Sequence, residues 1–161
     1  MKIKLTLEPG VGILPIKLGM TRDEVAAALK TIGIMTRSAE HAATDYYFEN
    51  AIQIEFTDGT ASFIGIASDR DIELVFQGAS ILQSPARDVF KRIAAAEGGT
   101  HKYDVNGKVF RRLIVTLWEA EEQYDRINEA VPVYGQVGLG DARYLAGVDE
   151  IDARYGKAKG N

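Results

Sequence analysis

Histidines, serines, paired carboxylates and glycine-rich turns are where this chain could do chemistry. His41 and His101 are the only histidines. His41 with Asp45 has the i, i+4 spacing that binds a metal on a helix, but its surroundings read as a loop running into a strand, and no third ligand is identifiable. His101 follows two glycines at the start of a strand, and both histidines read as surface residues. Ser38, Ser62, Ser68, Ser80 and Ser84 all lie outside a G-x-S-x-G elbow. Gly138-Leu139-Gly140-Asp141-Ala142-Arg143 follows a valine-rich strand, yet it lacks the third glycine and the βαβ setting of a dinucleotide site, so it reads as a turn. Asp69-Arg70-Asp71 resembles a charged connection. Absence of cysteine excludes disulfides, thiolate nucleophiles, thiolate zinc sites and Fe–S clusters. On this reading there is no catalytic residue, metal or cofactor to assign. An enzyme that draws its carboxylates from distant positions stays open.

Aromatic residues carry the other candidate site. Tyr46-Tyr47-Phe48 places rings on both faces of one strand, so one ring is expected to meet solvent or a partner. Trp118 is opposite in parity to Leu113, Val115 and Leu117 and shares a face with Arg112, Ile114 and Thr116. If the odd face is core, the even face carries Arg112 and Trp118, residue types favoured at interface hot spots. Tyr134 alternates with valines and would extend that surface. The candidate interface is therefore Arg112, Trp118, Tyr134, Tyr46 and Tyr47. The competing reading is that helices cover this face and Trp118 is core.

The element that positions the rest is the stretch from Leu18 to Val25. Thr21 fits a helix N-cap, Glu24 three residues on completes a capping box, and Met20 with Val25 closes a hydrophobic staple. Val25, Leu29 and Ile32 form one apolar stripe on a short helix that Gly33 ends. The segment Ile16-Lys17-Leu18-Gly19-Met20-Thr21-Arg22-Asp23-Glu24-Val25 resembles the G-M-T-x-x-E-V entry of small α/β modules in the SmpA/OmlA and β-lactamase-inhibitor-like group. The strand ending Leu113 to Trp118 is similar to that of uncharacterised bacterial single-domain proteins. The first resemblance implies one or two helices against an antiparallel sheet and action through protein contacts.

In chain order, residues 1–7 alternate as a strand, Pro15 keeps residues 13–18 at an edge or in a loop, and residues 34–43 read as a loop. Strands follow at 44–49, 52–56 and 61–67, the last two joined by Asp58-Gly59, with Gln53 and Glu55 facing water. A second unit runs from the strand at 72–76 through Ser84-Pro85, an N-cap with proline at the first helical position, into a helix striped by Val89, Phe90 and Ile93. Gly98-Gly99 end that helix, and Asn106-Gly107 joins strands at 101–105 and 108–118. A last strand spans 131–137, after an acidic stretch at 119–130. The expected fold is α+β, an antiparallel sheet packed against two helices, which two strand–helix–hairpin repeats (1–70 and 71–137) would explain. One domain covers 1–155, with a frayed tail at 156–161.

With 161 residues and 46% hydrophobic content the chain can fill a core. A net charge of −4 with dispersed lysines and arginines argues against nucleic acid. No apolar run approaches a membrane span, and the N-terminus lacks a signal-peptide core, so the expected location is cytoplasmic. The functional expectation is a non-enzymatic protein-binding module, such as an inhibitor or immunity-type protein that masks an unknown protein partner with its sheet. The alternative is a small-molecule-binding domain or small enzyme with a pocket between sheet and helices. Pairing of two copies through an edge strand is a third possibility.

Overall fold

Thr21 does cap a helix: its hydroxyl accepts from the Glu24 N–H while the Glu24 carboxylate accepts from the Thr21 N–H. Residues 2–118 and 132–155 are described by this computed structural model. β1 (Ile3–Glu8), β2 (Gly12–Leu14) and β3 (Ile16–Lys17) lead into the capped helix α1 (Arg22–Lys30). Then come β4 (Arg37–His41), β5 (Thr44–Tyr47), β6 (Ile52–Thr57) and β7 (Thr60–Ala67). The second part comprises β8 (Ile72–Phe76), β9 (Ala79–Ser80), α2 (Ala86–Glu97), β10 (Gly107–Phe110), β11 (Val115–Trp118), β12 (Gln136–Gly140) and α3 (Ala142–Arg154).

These strands form two sheets. The smaller has the order β3-β2-β1-β8-β9 and the larger the order β10-β11-β12-β7-β6-β5-β4. Pairing is antiparallel except between β1 and β8, which run parallel with Leu5 beside Leu74. The chain just before α1 stitches the layers together, because Gly19 N–H donates to the Ala61 carbonyl and Ala61 N–H to the Met20 carbonyl. One buried cluster draws on both sheets, α1 and α2. Val25 and Leu29 supply it from α1, and Ala86, Val89, Phe90 and Ile93 from α2. Each large aliphatic side chain so buried contributes about 1.5–3 kcal/mol.

The mixed α+β class and the mostly antiparallel pairing match expectation, but several details do not. Three helices are present among the described residues, not two. Two repeats at 1–70 and 71–137 do not account for α3, which lies beyond both. Residues 37–41, read as loop, form the edge strand β4; all five are exposed, so no alternation betrays it. The run 108–118 is not one strand but the hairpin β10–β11 with its turn at Arg111–Ile114. Ile114 takes a φ of 57° there, which a β-branched residue rarely adopts. Residues 101–104 form no strand. Ser84 does not cap α2: its hydroxyl donates to the Ser80 carbonyl, and Pro85 stands at the cap. The segment read as a turn after Gly138 is the end of β12 and the start of α3. The acidic stretch 119–130, Val131 and the tail 156–161 lie outside the described residues.

Candidate functional site

The large sheet has two unlike faces. On β6, Ile52, Ile54 and Phe56 enter the core while Gln53, Glu55 and Thr57 point outward. Across the outer face one row joins Glu55, Phe63 and Gly140, and the next joins Gln53, Gly65, Gly138 and Thr116. Gln136 and Trp118 pair in the row beyond. A bulge beside Glu55 swings Ser62 outward, where its hydroxyl lies 2.8 Å from Thr57 Oγ1.

The three glycines of these rows make room. The Phe63 ring occupies the space a Cβ on Gly138 would take, the Tyr144 ring that of Gly140, and the Gln136 amide that of Gly65. α3 can therefore settle on the sheet, with Tyr144 stacked on Phe63 at a centroid distance of 4.3 Å and 21° between planes. Asp141 starts the helix, its carboxylate accepting from the N–H groups of Arg143 and Tyr144. No residue of α3 is buried, so the helix covers the sheet only in part.

Between α3 and the sheet lies a cleft of about 580 Å³. Glu55, Thr57 and Ser62 line it from β6 and β7, Val109 and Trp118 from β10 and β11, and Arg143, Tyr144, Gly147, Val148, Ile151 and Asp152 from the helix. Burial raises the Glu55 carboxyl above its ordinary pKa, opposed by the Gln53 amide, which donates to it at 2.9 Å. The Gln136 amide in turn reaches Gln53 Oε1 at 3.4 Å. Tyr144 is pushed up to about 12, by burial foremost and then by the negative charge of Glu55, so it stays a neutral phenol. Beneath the cleft Thr116 Oγ1 is buried with no hydrogen-bond partner among the described residues.

The sequence-derived candidates scatter. Trp118 is 45% exposed at the rim of the cleft. Arg112 does not join it: its guanidinium donates to the carbonyls of Ala96 and Glu97 at the end of α2. The Glu97 carboxylate accepts from the backbone N–H groups of Arg112 and Leu113, fixing the β10–β11 turn. Tyr134 is fully buried and donates to the Asp104 carbonyl, so it offers no surface. Tyr47 is buried in the core, whereas Tyr46 is half-buried on the outer face opposite Gln53. His41 is exposed, and Asp45, buried, is engaged by Arg22 and Arg37.

Sequence reasoning missed Glu55, which was read as water-facing, because the helix that covers it was not foreseen. Its signal was present in Tyr144, Val148, Ile151 and Tyr155, an i, i+4, i+7, i+11 stripe behind the Asp141 cap. Chemically the cleft can seat a ligand with an apolar body and meet it with one half-buried carboxylate. Ser62 has no histidine within its lining and donates toward the Glu55 carbonyl, an arrangement unlike an activated nucleophile. No family model, curated protein or solved structure matches this chain.

Proposed function

We propose that this chain is a binding domain that takes a small ligand in the cleft between α3 and the outer face of the large sheet. The observation that carries the reading is the cleft itself: its 580 Å³ falls in the range of about 300–1,000 Å³ usual for ligand sites. It combines the rings of Trp118 and Tyr144 with a few polar groups, the composition such sites favour. Trp118 is the only tryptophan, so its fluorescence reports on the cleft directly.

The test uses Gly147, which lines the cleft from α3 and has open space where a Cβ would stand. Gly147→Phe should fill the cleft and abolish any ligand-induced change in Trp118 emission without lowering the melting temperature. A ligand response that survives this substitution places binding elsewhere and defeats the reading.

One observation favours the protein-binding reading instead. Trp118 (45% exposed) and Ile151 (61% exposed) both border the cleft, and apolar groups so exposed suit a macromolecular partner of the inhibitor or immunity type. The likeness to SmpA/OmlA and β-lactamase-inhibitor-like modules agrees with it. Affinity capture comparing the native chain with Trp118→Ala, together with solution mass to detect edge-strand dimers, decides between this reading and the first.

A further inference from the structure

We propose that the cleft selects an amphiphilic organic cation, with its ammonium group at Glu55 and its apolar body running beneath α3 toward Trp118. The proposal rests on the ligand-site reading above and names the class of ligand.

The charge inventory of the lining comes first. Among the described residues Glu55 and Asp152 bring two carboxylates to the lining, and Arg143 is the one cation. Arg143 has nothing left to offer an anion. Its Nε–H and one Nη2–H go to the Asp141 carboxylate, and its other donors go to the carbonyls of Thr57 and Ala61 and to the Thr60 hydroxyl. At the N-terminus of α3 a carboxylate already sits, since Asp141 accepts from the N–H groups of Arg143 and Tyr144. Among the described residues of the lining, an anionic ligand would meet two carboxylates and no cationic side chain with a free donor.

Glu55 is the complementary half. Burial raises its pKa, and among the described residues a neutral amide alone opposes that, with no ion pair to Glu55. A desolvated carboxylate in that position gains most from a positive group that arrives with its own apolar cover. The walls supply that cover. Val109, Val148 and Ile151 suit a hydrocarbon, and the faces of Tyr144 and Trp118 attract a cation as well. Glu55 on β6 and Trp118 on β11 lie three strand spacings and two rows apart, roughly 14 Å across the sheet and about 13 Å along it, so the favoured body is elongated.

Three probes with one tail and three heads test this: n-octylamine, 1-octanol and octanoate, each titrated into the full chain near neutral pH while Trp118 emission is followed. Octylamine should bind saturably and about tenfold more tightly than octanol, with octanoate weakest. Glu55→Gln, checked for folding by circular dichroism, should bring octylamine down to the affinity of octanol and leave octanol unchanged. Asp152→Asn, a change on an exposed position of α3, should cause a smaller loss of the same kind and guards against a misfolded Glu55 variant. Octanoate or octanol binding as tightly as the amine overturns the cationic preference while leaving the ligand site standing. So does an amine preference that Glu55→Gln does not reduce. If none of the three probes moves Trp118 emission, the ligand-site reading falls and this proposal with it.

Discussion

Glu55 shows how far one side chain's chemistry depends on what lies above it. Because burial raises its pKa, the folded chain holds that proton more tightly than the unfolded chain does. Stability therefore falls as pH rises through the interval between the unfolded and folded values, and the ionised carboxylate is a cost above it. Glu55→Gln should raise the melting temperature at neutral pH by about 2 °C, and the gain should vanish once the pH falls below the ordinary carboxylate range. Thermal unfolding at the two pH values checks this; a gain independent of pH would assign the effect to packing. Arg112 gives the opposite kind of case. With its guanidinium on the last carbonyls of α2, Arg112→Ala should cost about 1–2 kcal/mol in urea unfolding and leave any Trp118-reported binding unchanged. Tyr134→Phe, which removes one buried hydrogen bond to a carbonyl, should cost about 1 kcal/mol in the same measurement. Parity along a strand was enough to mark Trp118 as unlike its neighbours. It could not locate Arg112, because the strand that would have carried both turns back at Arg111–Ile114 without a glycine, asparagine or proline to announce it.

Elements with a local signal were legible. The capping box of α1, the apolar stripe of α2 and the Asp58-Gly59 hairpin, with φ values of 51° and 83°, are all written in adjacent residues. Thr21→Ala should lose about 1 kcal/mol of stability on urea unfolding, as the reciprocal bonds of the box disappear. β4 and α3 were not read, for different reasons. β4 is an exposed edge carrying Arg37, Glu40 and His41, which discourage another strand from pairing there but leave no buried period to detect. α3 has a stripe, but the stripe meets a sheet face that is receptive only because Gly65, Gly138 and Gly140 lack side chains. Gly138→Ala would drive a methyl into the Phe63 ring, at an overpacking cost of about 1–3 kcal/mol, and should loosen the Tyr144 stack above it. Urea unfolding gives the cost, and a change in Trp118 emission in the native state would register the shift of the helix.

At the scale of the molecule, two long-range pairings hold the parts together: β1 beside β8 in the small sheet and β7 beside β12 in the large one. Neither was legible, since a strand's own residues record which face is buried and not which distant strand lies at its flank. α3 has no buried residue, so its amides should exchange with solvent well before those of β7 or α2, a difference that hydrogen exchange read by mass spectrometry resolves. The β7–β12 pairing also bears on how the protein is made. β7 is the most continuously buried strand of the large sheet, and the strand that covers one of its sides is encoded near the far end of the chain. During synthesis at about 5–20 residues per second, β7 waits several seconds with an open, apolar edge before β12 leaves the ribosome. For that interval the nascent chain carries its greatest liability to stick to other chains, and slowing translation between the two strands would lengthen it.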